Sequence, residues 1–309
     1  MNKIALIFPG QGAQSCGMGK EFYDQTETGK MVFDTASQLL GFSMTDLCFT
    51  ENPKLHMTEY TQAAMVTVEI AMCRVLKEHG ITPNMTAGLS LGEYSALEAA
   101  GAMDWQSAIT TVRQRGILME EAVPAGEGAM AAVLSLDVSE IEKITGEMDG
   151  VWIANYNCPG QTVISGRKEA VEKACEKLQA AGARKTVFLN VSGPFHSGLL
   201  EEAGKKLGKV LENTEFSRPE IPYVSNVTAS FVTEKEEIPS LLIKQVSSSV
   251  RWQQSVEAMI KAGADTFIEI GPGKTLSGFM KKINRNVSVW NIETMEDVKK
   301  VASAIKKEN

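Results

Sequence analysis

Three short apolar segments each run into a glycine turn and then a helical stretch. This rhythm constrains the fold more than any other feature of the chain. "KIALIFPG" (3–10) reads as a buried strand that stops at Pro9 and Gly10, followed by the loop "GQGAQSCGMG" and a helix over 28–40. "MTAGLS" is a weaker strand that passes into the helix "LGEYSALEAAG", closed by Gly101. "TFIEI" turns through "GPGK" into the helix "TLSGFMKKI". Further helices are expected over 62–79, with His79 in the last turn before Gly80, and over 104–122, N-capped by Asp104. Others are expected over 197–213, 252–262 and 295–307, with irregular chain up to about 240 and a late strand at "VSVWNI". Strands alternating with helices predict a mainly parallel sheet covered on both faces.

The segment 129–191 keeps a different order. "AMAAVLSL" reads as a strand and "SEIEKITGEM" as a helix capped by Ser139. "VWIANYN" and "QTVISG" read as strands paired across "CPG". The amphipathic helix "KEAVEKACEKLQAAG" and the strand "ARKTVFLNV" complete a β-α-β-β-α-β unit of ferredoxin-like type. The expected fold is therefore α/β. A large α/β-hydrolase-like domain (1–123 and 192–309) would carry an inserted ferredoxin-like domain (124–191). At 309 residues and 43% hydrophobic, the chain can bury cores of that size.

The net charge of −7 argues against nucleic acid as the main ligand, which needs a basic field. The five cysteines, Cys16, Cys48, Cys73, Cys158 and Cys175, are scattered and include no C-x-x-C. That argues against a disulfide framework or zinc site and for a reducing cytoplasm. The opening apolar run is too short for a signal-peptide core, and no run of about 18 apolar residues predicts a membrane span.

"GLSLGEYSA" (88–96) holds the motif G-x-S-x-G between a strand and a helix, the setting in which that motif forms a nucleophile elbow. Small residues also suit any strand–helix junction, so two readings of Ser90 stand. A serine nucleophile needs a base, and the chain has three histidines. His79 suits the C-terminal end of a helix dipole, and His56 lies in a loop. His196, in "SGPFHS", follows the return from the small unit, with Gly193 and Pro194 shaping the turn before it. It is the best candidate base, with a structural histidine as the competing reading from position alone. No obvious third carboxylate follows it as in ordinary hydrolases, but a backbone carbonyl can accept the Nδ1 proton and fix the tautomer. The loop "PGQGAQ" suits an oxyanion hole. As a dinucleotide fingerprint it fails, because Ser15 stands where the third glycine belongs.

On the helix 104–122, Ala108, Val112, Arg115 and Met119 share one face, and Arg113 points away from it. Arg115 therefore either snorkels at the edge of an apolar stripe or is a buried guanidinium that awaits a substrate carboxylate.

These pieces occur together with "TQAA" (61–64), "RQRG", "NCPGQTVISG", "GPFHS" and "EIGPGKTLSGF". In order and spacing the set resembles the malonyl-CoA:acyl carrier protein transacylases of bacterial fatty acid synthesis, over nearly the whole chain. The resemblance implies that Ser90 is acylated, His196 is its base and Arg115 binds the malonyl carboxylate. It implies that backbone N–H groups of Gln11 and Leu91 form the oxyanion hole and that the Gln245 carbonyl orients the histidine. Gln62 and Asn157 would line the pocket. Phe195 would exclude a branched acyl group by its bulk. Leu89 stands where many relatives carry histidine.

The implied reaction is ping-pong transfer of malonyl from CoA to the phosphopantetheine thiol of acyl carrier protein. CoA and phosphopantetheine thioesters are substrates, and neither cofactor nor metal is expected. A free-standing acyltransferase of a polyketide synthase is the near alternative. A serine thioesterase would share Ser90 and His196 but has no use for Arg115, and a docking module without catalysis would leave Ser90 inert. Lys281, Lys282 and Arg285 form a basic cluster that could meet an acidic carrier protein. A monomer is expected, with no nucleic acid or membrane partner.

Overall fold

The computed structural model describes residues 3–124 and 126–308. Residues 1, 2, 125 and 309 fall within the expected domain ranges but lie outside the described residues. The strands are β1 (Ile4–Phe8), β2 (Met85–Gly88), β3 (Gly128–Leu134), β4 (Val151–Cys158), β5 (Gln161–Arg167), β6 (Lys185–Phe188), β7 (Tyr223–Val224), β8 (Phe231–Val232), β9 (Thr266–Ile270) and β10 (Ser288–Ile292). They form a six-stranded sheet of order β10-β9-β1-β2-β7-β8 and a four-stranded sheet of order β4-β5-β3-β6. The first is parallel from β10 to β7, with only β8 antiparallel. The second is wholly antiparallel, and its order is that of a ferredoxin-like unit.

β1 is buried along its whole length because the sheet is covered on both faces. Ile4, Leu6 and Phe8 pack into a large core with the helix Thr58–Glu78, while Ala5 and Ile7 face a second core with the helices Trp252–Lys261 and Thr275–Ile283. The four-stranded sheet divides in the same way. Ala131, Val133 and Ile164 pack under the helices Val138–Gly146 and Lys168–Ala180, and Met130, Ala132 and Val163 face the large core.

Several local expectations need correction. Ser139 does not cap its helix. Asp137 does, accepting from the Ser139 N–H at 2.9 Å, and the Ser139 hydroxyl also donates to it. The last strand of the small sheet covers only Lys185–Phe188, and the helix expected over 62–79 begins earlier, at Thr58. His79 is the C-cap of that helix and not part of its last turn. The chain expected to be irregular up to about 240 holds β7, β8 and the start of the helix Ile238–Gln245. β7 and β8 are two residues each, too short to show a period. Asp104 caps the helix Trp105–Glu121 as expected. No described helix is long and apolar enough to cross a membrane.

Candidate active site

The turn after β2 is built by glycine. A Cβ on Gly88 would lie 1.9 Å from the Gly92 carbonyl carbon, and a Cβ on Gly92 would lie 2.3 Å from the Phe8 carbonyl oxygen. The helix Gly92–Ala99 can therefore start directly against β1, and the residue between is thrust outward. Ser90 takes a left-handed backbone, φ 53°, a conformation that costs a serine energy and must be held by its surroundings. Asn226 supplies the hold. Its Oδ1 accepts from the Ser90 N–H at 2.6 Å, and its Nδ2 donates to the Gly88 carbonyl at 2.6 Å.

His196 lies at the return from the small sheet, also with positive φ (58°). Its Nε2 is 2.6 Å from Ser90 Oγ and its Nδ1 is 2.8 Å from the Gln245 carbonyl oxygen. A carbonyl only accepts, so Nδ1 carries the proton and Nε2 is free to accept from the serine hydroxyl. Burial, and then the nearby Arg115 charge, lower the histidine to about 4. The imidazole is neutral at pH 7 and ready to take a proton.

Arg115 lies in the buried stripe with Ala108, Val112 and Met119, itself only 1% exposed. Its Nη1 donates to Gln62 Oε1 at 2.8 Å and its Nη2 to Gln245 Oε1 at 3.0 Å. Nη2 also reaches Ser90 Oγ at 3.3 Å. Two neutral amide oxygens thus hold the guanidinium, and no acidic side chain forms an ion pair with it among the described residues. Arg113 turns away as expected, pairing with Glu59 at 2.8 Å.

Ser90, His196, Arg115, Gln62, Gln11, Leu91, Leu89, Asn157 and Phe195 all line one cavity of about 390 Å³. Met130, Ala132 and Val163 supply its opposite wall from the small sheet. The Gln11 and Leu91 N–H groups donate to nothing among the described residues, so both are free to serve an oxyanion. The Ser90 N–H, taken by Asn226, is not. The other two histidines lie elsewhere. The ring of His79 contacts the Val75 carbonyl at 2.9 Å, and His56 borders a separate surface cavity beside Cys16. No cluster of three or more His, Cys, Asp or Glu side chains that could hold a metal occurs among the described residues.

Two buried groups at the site had no reading from sequence. Asn226 falls in the stretch expected to be irregular. Glu93 sits within the quoted motif, one of two carboxylates (with Glu98) in a helix that is buried on every side, and that contrast was the signal available. Burial raises its carboxyl to about 7, against the opposing pull of hydrogen bonds from Gln245 and Asn226 and of the Arg115 charge.

A polarised serine, a neutral histidine, free amides and a buried cation are the parts of an acyl-transfer site for an acid-bearing acyl group. Comparison with known proteins agrees. The acyl transferase domain family matches residues 5–306. The malonyl CoA-acyl carrier protein transacylase of Bacillus subtilis is 46% identical, over 100% of this chain and 99% of its own. The crystal structure of the Clostridium perfringens transacylase of the same name superposes with a TM-score of 0.95 at 42% identity, covering 99% of this chain and 98% of that one. A malonyl-transacylase solved in complex with its type II polyketide synthase acyl-carrier protein gives a TM-score of 0.95 at 38% identity, covering 98% and 99%. The chain is an acyltransferase and belongs to the malonyl CoA-acyl carrier protein transacylase family.

Proposed function

We propose that this chain moves a malonyl group from malonyl-CoA to the phosphopantetheine thiol of an acyl carrier protein, through a malonyl ester on Ser90, to supply fatty acid synthesis. The observation that carries the reading is the buried Arg115 guanidinium beside Ser90 Oγ, since an acyl group bearing its own carboxylate is what such a cation would bind.

Ser90 Oγ attacks the thioester carbonyl while His196 Nε2 takes its proton. The oxyanion forms against the Gln11 and Leu91 amides, and such donors contribute about 3 kcal/mol each. Collapse breaks the C–S bond, and His196 returns the proton to the departing CoA thiol. The carrier-protein thiol then attacks the ester. His196 takes the thiol proton and passes it to Ser90 Oγ as that oxygen leaves. One thioester replaces another, so the cycle is ping-pong and needs no external energy source. Phe195 narrows the pocket against a branch on the acyl α-carbon, while Gln62 and Asn157 border the bound acyl group.

The exposed Lys281, Lys282 and Arg285 serve as the carrier-protein contact in this reading. Thr275 and Phe279, on the helix Thr275–Ile283 that carries Lys281 and Lys282 and ends just before Arg285, border the cavity, which supports it. Residues 124–191 act as an inserted unit that closes one side of the site. The protein works as a monomer in a reducing cytoplasm, a setting that suits its free cysteines. Intact-mass measurement tests the reading. Malonyl-CoA should add one malonyl group, acyl carrier protein should remove it, and Ser90→Ala should take none. A label that persists on Ser90→Ala, or that only water removes, would overturn the proposal.

A further inference from the structure

Glu93 is fully buried in the first turn of the helix that follows Ser90, and neither the base nor the oxyanion hole uses it. Its Oε2 accepts from Gln245 Nε2 at 2.7 Å and from the Asn226 N–H at 3.3 Å. Gln245 Nε2 also donates to the Ser90 carbonyl at 2.8 Å, and Gln245 Oε1 accepts from Arg115 Nη2 at 3.0 Å. The two ends of this amide therefore face opposite chemistries. One end meets two acceptors, a carboxylate and a carbonyl. The other meets a guanidinium, which only donates. A flipped amide would oppose like groups at all three contacts.

We infer that Glu93 is a positioning residue for carboxylate recognition: it holds the Gln245 amide so that the amide oxygen, and not its NH₂, meets Arg115. The inference rests on the malonyl-transfer reading and adds a residue that selects the acyl group. The Ser90 carbonyl alone can hold only one of the two amide hydrogens, and the backbone carbonyl of Gln245 is committed to His196. Without an acceptor at Glu93 the amide loses one of the three contacts that oppose a flip, and one of its two hydrogens is left without a partner. Arg115 then loses one of its two amide anchors, and the position of the cation relative to Ser90 Oγ relaxes. A neutral acyl group makes no use of that cation, so the effect falls on acid-bearing acyl groups.

Glu93→Met keeps length and bulk but removes the acceptor, whereas Glu93→Gln keeps an oxygen for Gln245 Nε2. The ratio of kcat/KM for malonyl-CoA over acetyl-CoA should fall about tenfold in Glu93→Met, the effect expected of a hydrogen bond that serves a charged group. In Glu93→Gln it should stay within about threefold of the wild type. An unchanged ratio in Glu93→Met, or a Glu93→Gln variant as impaired as Glu93→Met, overturns the inference. If Glu93→Met does not fold, Gln245→Met decides. It keeps the backbone carbonyl at His196, should lose the same ratio, and overturns the inference if it does not. A wild-type protein that takes no malonyl adduct by intact mass would instead overturn the reading beneath it.

Discussion

Arg115 Nη2 lies 3.3 Å from Ser90 Oγ, so a cation with no acidic side-chain partner among the described residues sits beside the hydroxyl that also meets the His196 ring. Removing it should separate substrates by charge. Arg115→Ala should cut kcat/KM for malonyl-CoA by roughly 10²-fold or more, the range for one partner of a buried charge pair. Acetyl-CoA should lose far less. Steady-state kinetics on the two thioesters is the check, and equal losses would remove Arg115 from carboxylate recognition.

The acid limb of the kcat/KM profile should lie well below the ordinary histidine range. The base must be neutral, and burial together with the Arg115 charge holds His196 at about 4. At pH 5.5 the free enzyme should therefore keep nearly all of its kcat/KM, where an ordinary histidine near 6.5 would leave about a tenth of it. In Arg115→Ala one of the two depressing influences is gone, so the limb should move to higher pH. A wild-type limb centred at 6.5 would show that His196 is not held in this state.

Stability against pH should reveal two opposed protons. His196 sits at about 4 in the fold against its ordinary 6.5, so between these values the unfolded chain holds the extra proton and stability falls as pH falls. Glu93 sits at about 7 against 4.5, so in that window the folded chain holds the extra proton and stability falls as pH rises. Glu93→Gln removes the second effect only. Between pH 6.5 and 4.5 the wild type should gain on this variant by about 1 kcal/mol for each unit the pH is lowered, measured by denaturant unfolding. A constant gap would refute the assignment.

Asn226 holds the turn from both sides. Asn226→Ala leaves the Ser90 N–H and the Gly88 carbonyl without their partner, at about 1–3 kcal/mol for each buried group left unpaired. Acylation of Ser90 should slow for malonyl-CoA and acetyl-CoA alike, because the turn itself relaxes. Loss of stability without slower acylation would limit Asn226 to a structural role.

Much of this site is legible in the chain because its parts lie in short windows with a strict local requirement. Gly88 and Gly92 announce a turn that tolerates no Cβ, and the 4-3-4 spacing around Arg115 puts a cation into a buried face. The alternation of strands and helices likewise predicts the parallel sheet. The contacts that tie Asn226 and Gln245 to Glu93 were illegible for a different reason. Asn226 N–H meets Glu93 across 133 positions of sequence, and Gln245 meets Glu93 across 152, so only the folded chain brings them together. β7, which carries the chain toward Asn226, is two residues long and leaves no period to read. The capping error at Ser139 is of the same local kind as the successes. Asp137 and Ser139 are both good caps, and the carboxylate took the position.

The strict alternation along β3 separates two kinds of evolutionary freedom. Ala131 and Val133 are committed to the helices beneath the small sheet, while Met130 and Ala132, on the other face, form a wall of the cavity. Neighbours in sequence thus meet different physical demands, one set by the packing under the helices and the other by the shape of the cavity. A lineage that needed a bulkier or a smaller acyl donor could redraw the wall at 130, 132 and 163 while the helix-facing positions stayed fixed. The four-stranded sheet would then be a replaceable template for substrate range, set opposite the proposed catalytic groups, which do not have to change.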